Sequence, residues 1–150
     1  MNANYEIAEK ITLNLEGYIS NDKNDTGGYT IFGISSKVYP QNVARMKKWI
    51  KEGRKDLALS EAKKIYYEEY WIKAGCNNYP LPMALVIFDT SINSGVGTAK
   101  KIYKRCYGDW KYYLMERVVF FTKCKTEKYH LRGWTHRIAR LYEKIIAMKL

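Results

Sequence analysis

The sequence predicts a mainly α-helical domain with one small β-hairpin near its N-terminus, and three observations predict it. Apolar residues recur at helical spacing through most of the chain. One stretch, Glu16 to Ile34 (EGYISNDKNDTGGYTIFGI), breaks that spacing with glycines, carboxylates and β-favouring residues. The 150 residues, 47% of them hydrophobic, are enough for one buried core, and no internal repeat or low-complexity linker interrupts them.

The elements follow in order. Ile7, Ile11 and Leu15 share one face of a first helix over residues 4–16, with Asn4 as its N-cap. Glu16 ends that run and Gly17 stops it. Tyr18-Ile19 and Tyr29-Thr30-Ile31-Phe32 flank an NDKNDTGG turn and predict a short irregular hairpin. A short helix is expected over 35–39, before Pro40, and a longer one over 42–51, stopped by Gly53. Asp56 caps the next, over 57–73, which Gly75 ends. Residues 82–93, within LPMALVIFDTSIN, form the most apolar helix, expected to be central. Thr98 caps a helix to Tyr107, Gly108-Asp109 starts another over 110–124, and the last covers 135–150.

Lys and Arg number 26 against 15 Asp and Glu, a net charge of +11. Such a field attracts polyanions: nucleic acid, an anionic membrane face or a charged wall polymer. The basic residues are scattered rather than packed into one run, which weighs against nucleic acid, and no nucleic-acid motif is visible. No apolar run approaches the roughly 20 residues of a spanning helix. The N-terminus lacks a basic segment followed by an apolar core, so no secretory signal is expected. Cys76, Cys106 and Cys124 are odd in number and form no CxxC, so they are read as free thiols in a reducing compartment. His130 and His136 sit near no acidic cluster. No metal or other cofactor is expected.

The chemistry concentrates in the stretch that breaks the helical pattern. A carboxyl at the end of a half-buried helix is desolvated, which raises its pKa and suits Glu16 to protonate a leaving oxygen. Asp22 and Asp25 follow six and nine residues later across a turn, and either can face Glu16 over a cleft. Two carboxyls about one bond suit glycoside hydrolysis, retaining near about 5 Å apart and inverting near about 6.5–9.5 Å. Thr30 offers a hydroxyl to hold water on the same side. Gly27, Gly28 and Gly33 allow tight turns and close approach of a polymer. Tyr18 and Tyr29 are read as glycan platforms or as core packing. Asp89 and Asn93 are four apart on one helix face, read either as buried polar residues satisfied by packing or as sugar contacts.

The motif Glu16-Gly17, Asn21-Asp22, Asp25, Gly27-Gly28, Thr30, Gly33-Ile34 resembles that of the glycoside hydrolase family 108 N-acetylmuramidases, the secretion-activator and endolysin group. Tyr18 stands where that family usually has a second glycine, and Lys23 and Thr26 stand where prolines are common. Phe88 to Cys106 is similar to the family's peptidoglycan-binding region, and Arg132-Gly133-Trp134 with Arg137 resembles its closing element. Trp134 and Arg137 are read as locking the last helix. Asp25-Thr26, Tyr29-Thr30 and Gly33-Ile34 also echo phage-type lysozymes, which favours Asp25 over Asp22 as the second acid.

The resemblance implies a single lysozyme-like domain over 1–150, with a catalytic half near 5–75 and a peptidoglycan-binding helical half near 80–150. It implies cleavage of the β-1,4 bond between N-acetylmuramic acid and N-acetylglucosamine, with Glu16 as general acid and Asp25 positioning water or stabilising the transition state. A non-catalytic wall-binding module and a chitin-type hydrolase stand as alternatives. The expected partner is the peptidoglycan glycan strand, met by a monomer without membrane insertion or nucleic acid. Synthesis in the cytoplasm and action on the wall then require release through a holin or secretion channel.

Overall fold

A computed structural model of the chain describes residues 3–13, 19–20 and 29–149. The described residues form seven α-helices: α1 (Ala3–Thr12), α2 (Pro40–Lys51), α3 (Lys55–Ile65), α4 (Leu81–Ser94), α5 (Val96–Tyr103), α6 (Trp110–Thr122) and α7 (Glu127–Ala147). Three two-residue strands, β1 (Ile19–Ser20), β2 (Thr30–Ile31) and β3 (Ile34–Ser35), make an antiparallel sheet in that order. The mainly α class with a small hairpin near the N-terminus is therefore what the chain adopts. No helix among the described residues is long and apolar enough to cross a membrane.

The chain divides into two compact units, one of Met1–Leu13 with Glu69–Leu150 and one of Asn14–Glu68. The N-terminal helix thus groups with the C-terminal helices.

In the Asn14–Glu68 unit, α2 packs on α3 and on β2 and β3. Its core holds Ile31, Phe32, Ile34, Val43, Met46 and Ala62, all buried. The expected helix over 35–39 is absent from the described residues; Ile34–Ser35 is instead a third strand, followed by turns. The cause is the two-residue link between β2 and β3. Phe32 has φ 49° and Gly33 φ 78°, both positive, as a type I′ hairpin turn requires. Phe32 holds this unfavourable conformation while its side chain is buried and its carbonyl accepts from Tyr66 Oη at 3.0 Å.

Gly33 has a second constraint, since a Cβ there would sit 2.5 Å from Tyr66 Oη. Gly33→Ala should lose about 1–3 kcal/mol through the positive φ and the displaced tyrosine. Gly53→Ala, with a similar φ of 74° and open space around its Cβ, should lose less. Thermal denaturation of the two variants measures the difference. Glu61 ties α3 to α2, accepting from Asn42 Nδ2 at 2.7 Å and pairing with Arg45. Burial alone would raise its pKa, but these hydrogen bonds and the Arg45 charge hold it below the ordinary 4.5.

In the other unit, α4 is the central element and packs against α1, α5 and α6. Residues Met83–Ser91 are all buried, so the helix is apolar all round, as its sequence predicts. Thr90 and Ser91 satisfy their hydroxyls on the carbonyls of Val86 and Ile87, at 2.7 and 2.8 Å. Tyr5, Trp71 and Phe88 meet edge-to-face with centroids 5.4–5.7 Å apart. Trp71 lies on a π-helical segment, Tyr66–Ile72, and its Nε1 donates to Asn77 Oδ1 at 2.6 Å.

Some helix ends match expectation and others differ. Asp109 caps α6, accepting from the backbone of Lys111 and Tyr112 at 2.7 and 3.3 Å. By contrast α5 is capped by Gly95, with Thr98 already inside the helix. Helix α7 begins eight residues before the expected start at 135, because Gly133 continues the helix rather than breaking it.

All three cysteines are free; Cys76 and Cys106 are buried and Cys124 is half-buried. Burial pushes the Cys76 thiol up to about 12 and raises Cys106 as well. A disulfide reagent at about pH 8 should therefore modify Cys124 alone in the native protein, and all three thiols after denaturation. Rapid modification of Cys76 in the native state would contradict the burial.

Candidate active site

The strand pairing frames the acidic stretch. Ile19 pairs with Ile31 and Ser20 with Thr30, so β1 and β2 are held side by side at the two ends of the segment bearing Asp22 and Asp25. Thr30 lies in the central strand, facing Ser35 on its other side, and is 7% exposed. Tyr29, just before it, is half-buried, and Lys47 Nζ lies 5.0 Å from its ring centroid. An ammonium over one ring face makes a cation–π contact and occupies that face. Glu16, Tyr18, Asp22, Asp25, Gly27 and Gly28 lie outside the described residues. Among residues predicted for the catalytic stretch, the structure thus places Thr30, Tyr29 and Gly33, all in one unit.

Asp89 and Asn93 lie in the other unit, on α4. The Asp89 side chain is 3% exposed and receives two guanidiniums. Arg117, from α6 and fully buried, donates through Nη1 to Oδ2 at 2.6 Å. Arg137, from α7, approaches bidentately, with Nη2 at 2.8 Å from Oδ1 and Nε at 3.0 Å from both oxygens. Asn93 Oδ1 accepts from Arg117 Nη2 at 3.4 Å. One carboxylate therefore joins three helices.

The sequence named Arg137, as locking the last helix, but not its pairing with Asp89, and it missed Arg117. The missed signal was available, because Arg117 falls between Leu114 and Phe121 on the buried face of α6. A charge at such a position implies a buried counter-ion. Trp134 stacks on Phe121, with centroids 4.5 Å apart and planes 20° apart, so α7 is fixed to α6 by a ring pair beside the ion pair.

Around this network opens a cavity of about 890 Å³. Its walls include Thr12 of α1, Asn93 of α4 and Trp134, Arg137 and Arg140 of α7. Thr12 Oγ1 is buried and, among the described residues, has no hydrogen-bond partner. No cluster of three His, Cys, Asp or Glu side chains suited to a metal occurs among the described residues.

The structure of Brucella abortus SagA matches with a TM-score of 0.76 at 22% identity, covering 95% of this chain and 94% of that one, so the two share a lysozyme-like helical fold. No curated protein matches the sequence. The family model described as Glycosyl hydrolase 108 matches residues 9–95, from α1 through the end of α4. That match spans more than half of the chain and includes the whole acidic stretch, and the protein belongs to the glycosyl hydrolase 108 family.

Proposed function

We propose that this glycoside hydrolase acts on peptidoglycan, cutting the β-1,4 bond between N-acetylmuramic acid and N-acetylglucosamine. The observation that supports the proposal is the family match over residues 9–95, the span in which Glu16, Asp25 and Thr30 fall. Glu16 is the general acid that protonates the glycosidic oxygen as the bond breaks. Asp25 orients the attacking water or stabilises the oxocarbenium-like transition state, with Asp22 as the less favoured carboxylate. Thr30, on the central strand, presents its hydroxyl for that water. Tyr18 and Tyr29 are the aromatic surfaces for the glycan.

The charge of +11 suits a substrate rich in carboxylates and phosphates. The enzyme acts on the wall after release from the cytoplasm through a holin or secretion channel. Digestion of purified peptidoglycan followed by mass spectrometry of the new reducing ends tests the proposal. Muramic acid at those ends is the expected result. Glucosamine there would mean a different bond is cut. Binding to sacculi with no release of reducing sugar would mean a wall-binding module.

A further inference from the structure

Helix α7 carries Arg132, His136, Arg140 and Lys144 at four-residue steps, and all four are exposed and line the cavity beside Asp89. Four-residue steps place side chains on one helix face, about 6 Å apart along the axis and about 18 Å from end to end. Arg140 and Lys144, like charges one such step apart, repel one another and weaken the helix. Elsewhere three exposed lysines sit in i,i+4 pairs with acids, Lys48–Glu52, Lys64–Glu68 and Lys73–Glu69. Along this stripe no such pairing occurs among the described residues. Glu127 and Glu143, the acids of α7, do not line the cavity.

Among the described residues, the cavity wall has one acid, Asp89, and it is already engaged by Arg117 and Arg137. Three cations, Arg132, Arg140 and Lys144, therefore face that space with no ion pair among the described residues, beside the Arg137–Asp89 pair. Two flat aromatic surfaces accompany them, Trp134 and the largely exposed Tyr129. Cations repeated over about 18 Å, with rings beside them, suit a chain of repeated anions interspersed with sugar faces rather than a single small ion.

We propose that the Arg132–His136–Arg140–Lys144 face of α7, none of whose residues is assigned to bond cleavage, is a binding site for oxyanion groups repeated along a cell-wall polymer. The ligand class rests on the peptidoglycan reading above. Two sources share the chemistry: carboxylates of the wall peptides and phosphates of polymers attached to the wall. Guanidinium groups bind either oxyanion bidentately.

The test is pelleting of full-length Glu16→Gln protein with purified sacculi in the cold, with and without Arg132→Gln, Arg140→Gln and Lys144→Gln together. The triple substitution should weaken binding about tenfold or more at low ionic strength, with the difference shrinking as salt rises. An unchanged thermal transition establishes that the variant is folded. Amidating the sacculus carboxylates, or stripping its phosphate polymers, should lower binding of the parent to the level of the triple variant, and the effective treatment identifies the source. Equal binding by parent and triple variant would overturn the proposal. So would a loss confined to duplex DNA, which would mark the stripe as a nucleic-acid site. The assay reads the stripe whether or not the bond-cleavage assignment holds: sacculi solubilised by the Glu16→Gln protein on warming would count against Glu16 alone.

Discussion

Replacing Glu16 with glutamine should leave the protein folded and slow peptidoglycan cleavage by about 10²–10⁴-fold, the range that a positioned general acid supplies. The glutamine amide is nearly isosteric and can still donate a hydrogen bond, but it cannot deliver a proton to the departing oxygen. The departing sugar's 4-oxygen leaves poorly as an alkoxide, so the loss falls on the bond-breaking step and appears in kcat. Asp25→Asn separates the roles further. If Asp25 orients water or stabilises positive charge, its loss also lowers kcat while leaving the acid in place. The pH profile distinguishes the two. Cleavage by the parent should fall as pH rises through the Glu16 pKa, because only the protonated acid is competent. Asp25→Asn should retain that alkaline limb, and Glu16→Gln should lose it. Reducing-sugar release from sacculi, with circular dichroism as the folding control, measures both. A Glu16→Gln enzyme with full activity would remove Glu16 from the mechanism.

The parts of the fold that a local rule decides could be read from the chain. The LPMALVIF run has no polar face, so α4 had to be interior, and its buried stretch from Met83 to Ser91 agrees. Asp109 after Gly108 is a good N-cap, and it caps α6. The parts decided by tertiary contacts could not be read in this way. Gly133 suggests a helix break, yet α7 runs through it, with Trp134 stacked on Phe121 and Arg137 on Asp89 just beyond. Those contacts outweigh the roughly 1 kcal/mol that a glycine costs a helix. Phe32 is a poor residue for a positive φ, and only its buried ring and the Tyr66 hydrogen bond reveal why the β2–β3 turn forms there. The candidate site divides in the same way. Its proposed carboxylates, Glu16, Asp22 and Asp25, stand out in the sequence because they interrupt the helical pattern locally. Arg117 was not, because its meaning depends on Asp89, 28 residues away on another helix.

That ion pair supports the largest stability prediction. Asp89→Asn should destabilise the protein by about 3–5 kcal/mol, because it removes the only carboxylate contacting the fully buried Arg117 among the described residues. Arg117 already has a buried Nε with no partner among those residues, so the network has no spare acceptor to take over. Asn93, at 3.4 Å, offers one weak neutral contact. Against a total stability of about 5–15 kcal/mol this is a large share, equivalent to a fall in Tm of roughly 6–20 °C for a chain of this size. Arg137→Ala should cost less. Its side chain is 36% exposed, and its removal leaves Asp89 still paired to Arg117. The Asp89→Leu/Arg117→Met double variant should be more stable than Asp89→Asn, since it leaves no unpaired charge inside. Thermal melts of the four proteins decide the matter. If Asp89→Asn melts with the parent, the charge is not buried in solution and the three-helix junction is held by the Phe121–Trp134 stack instead.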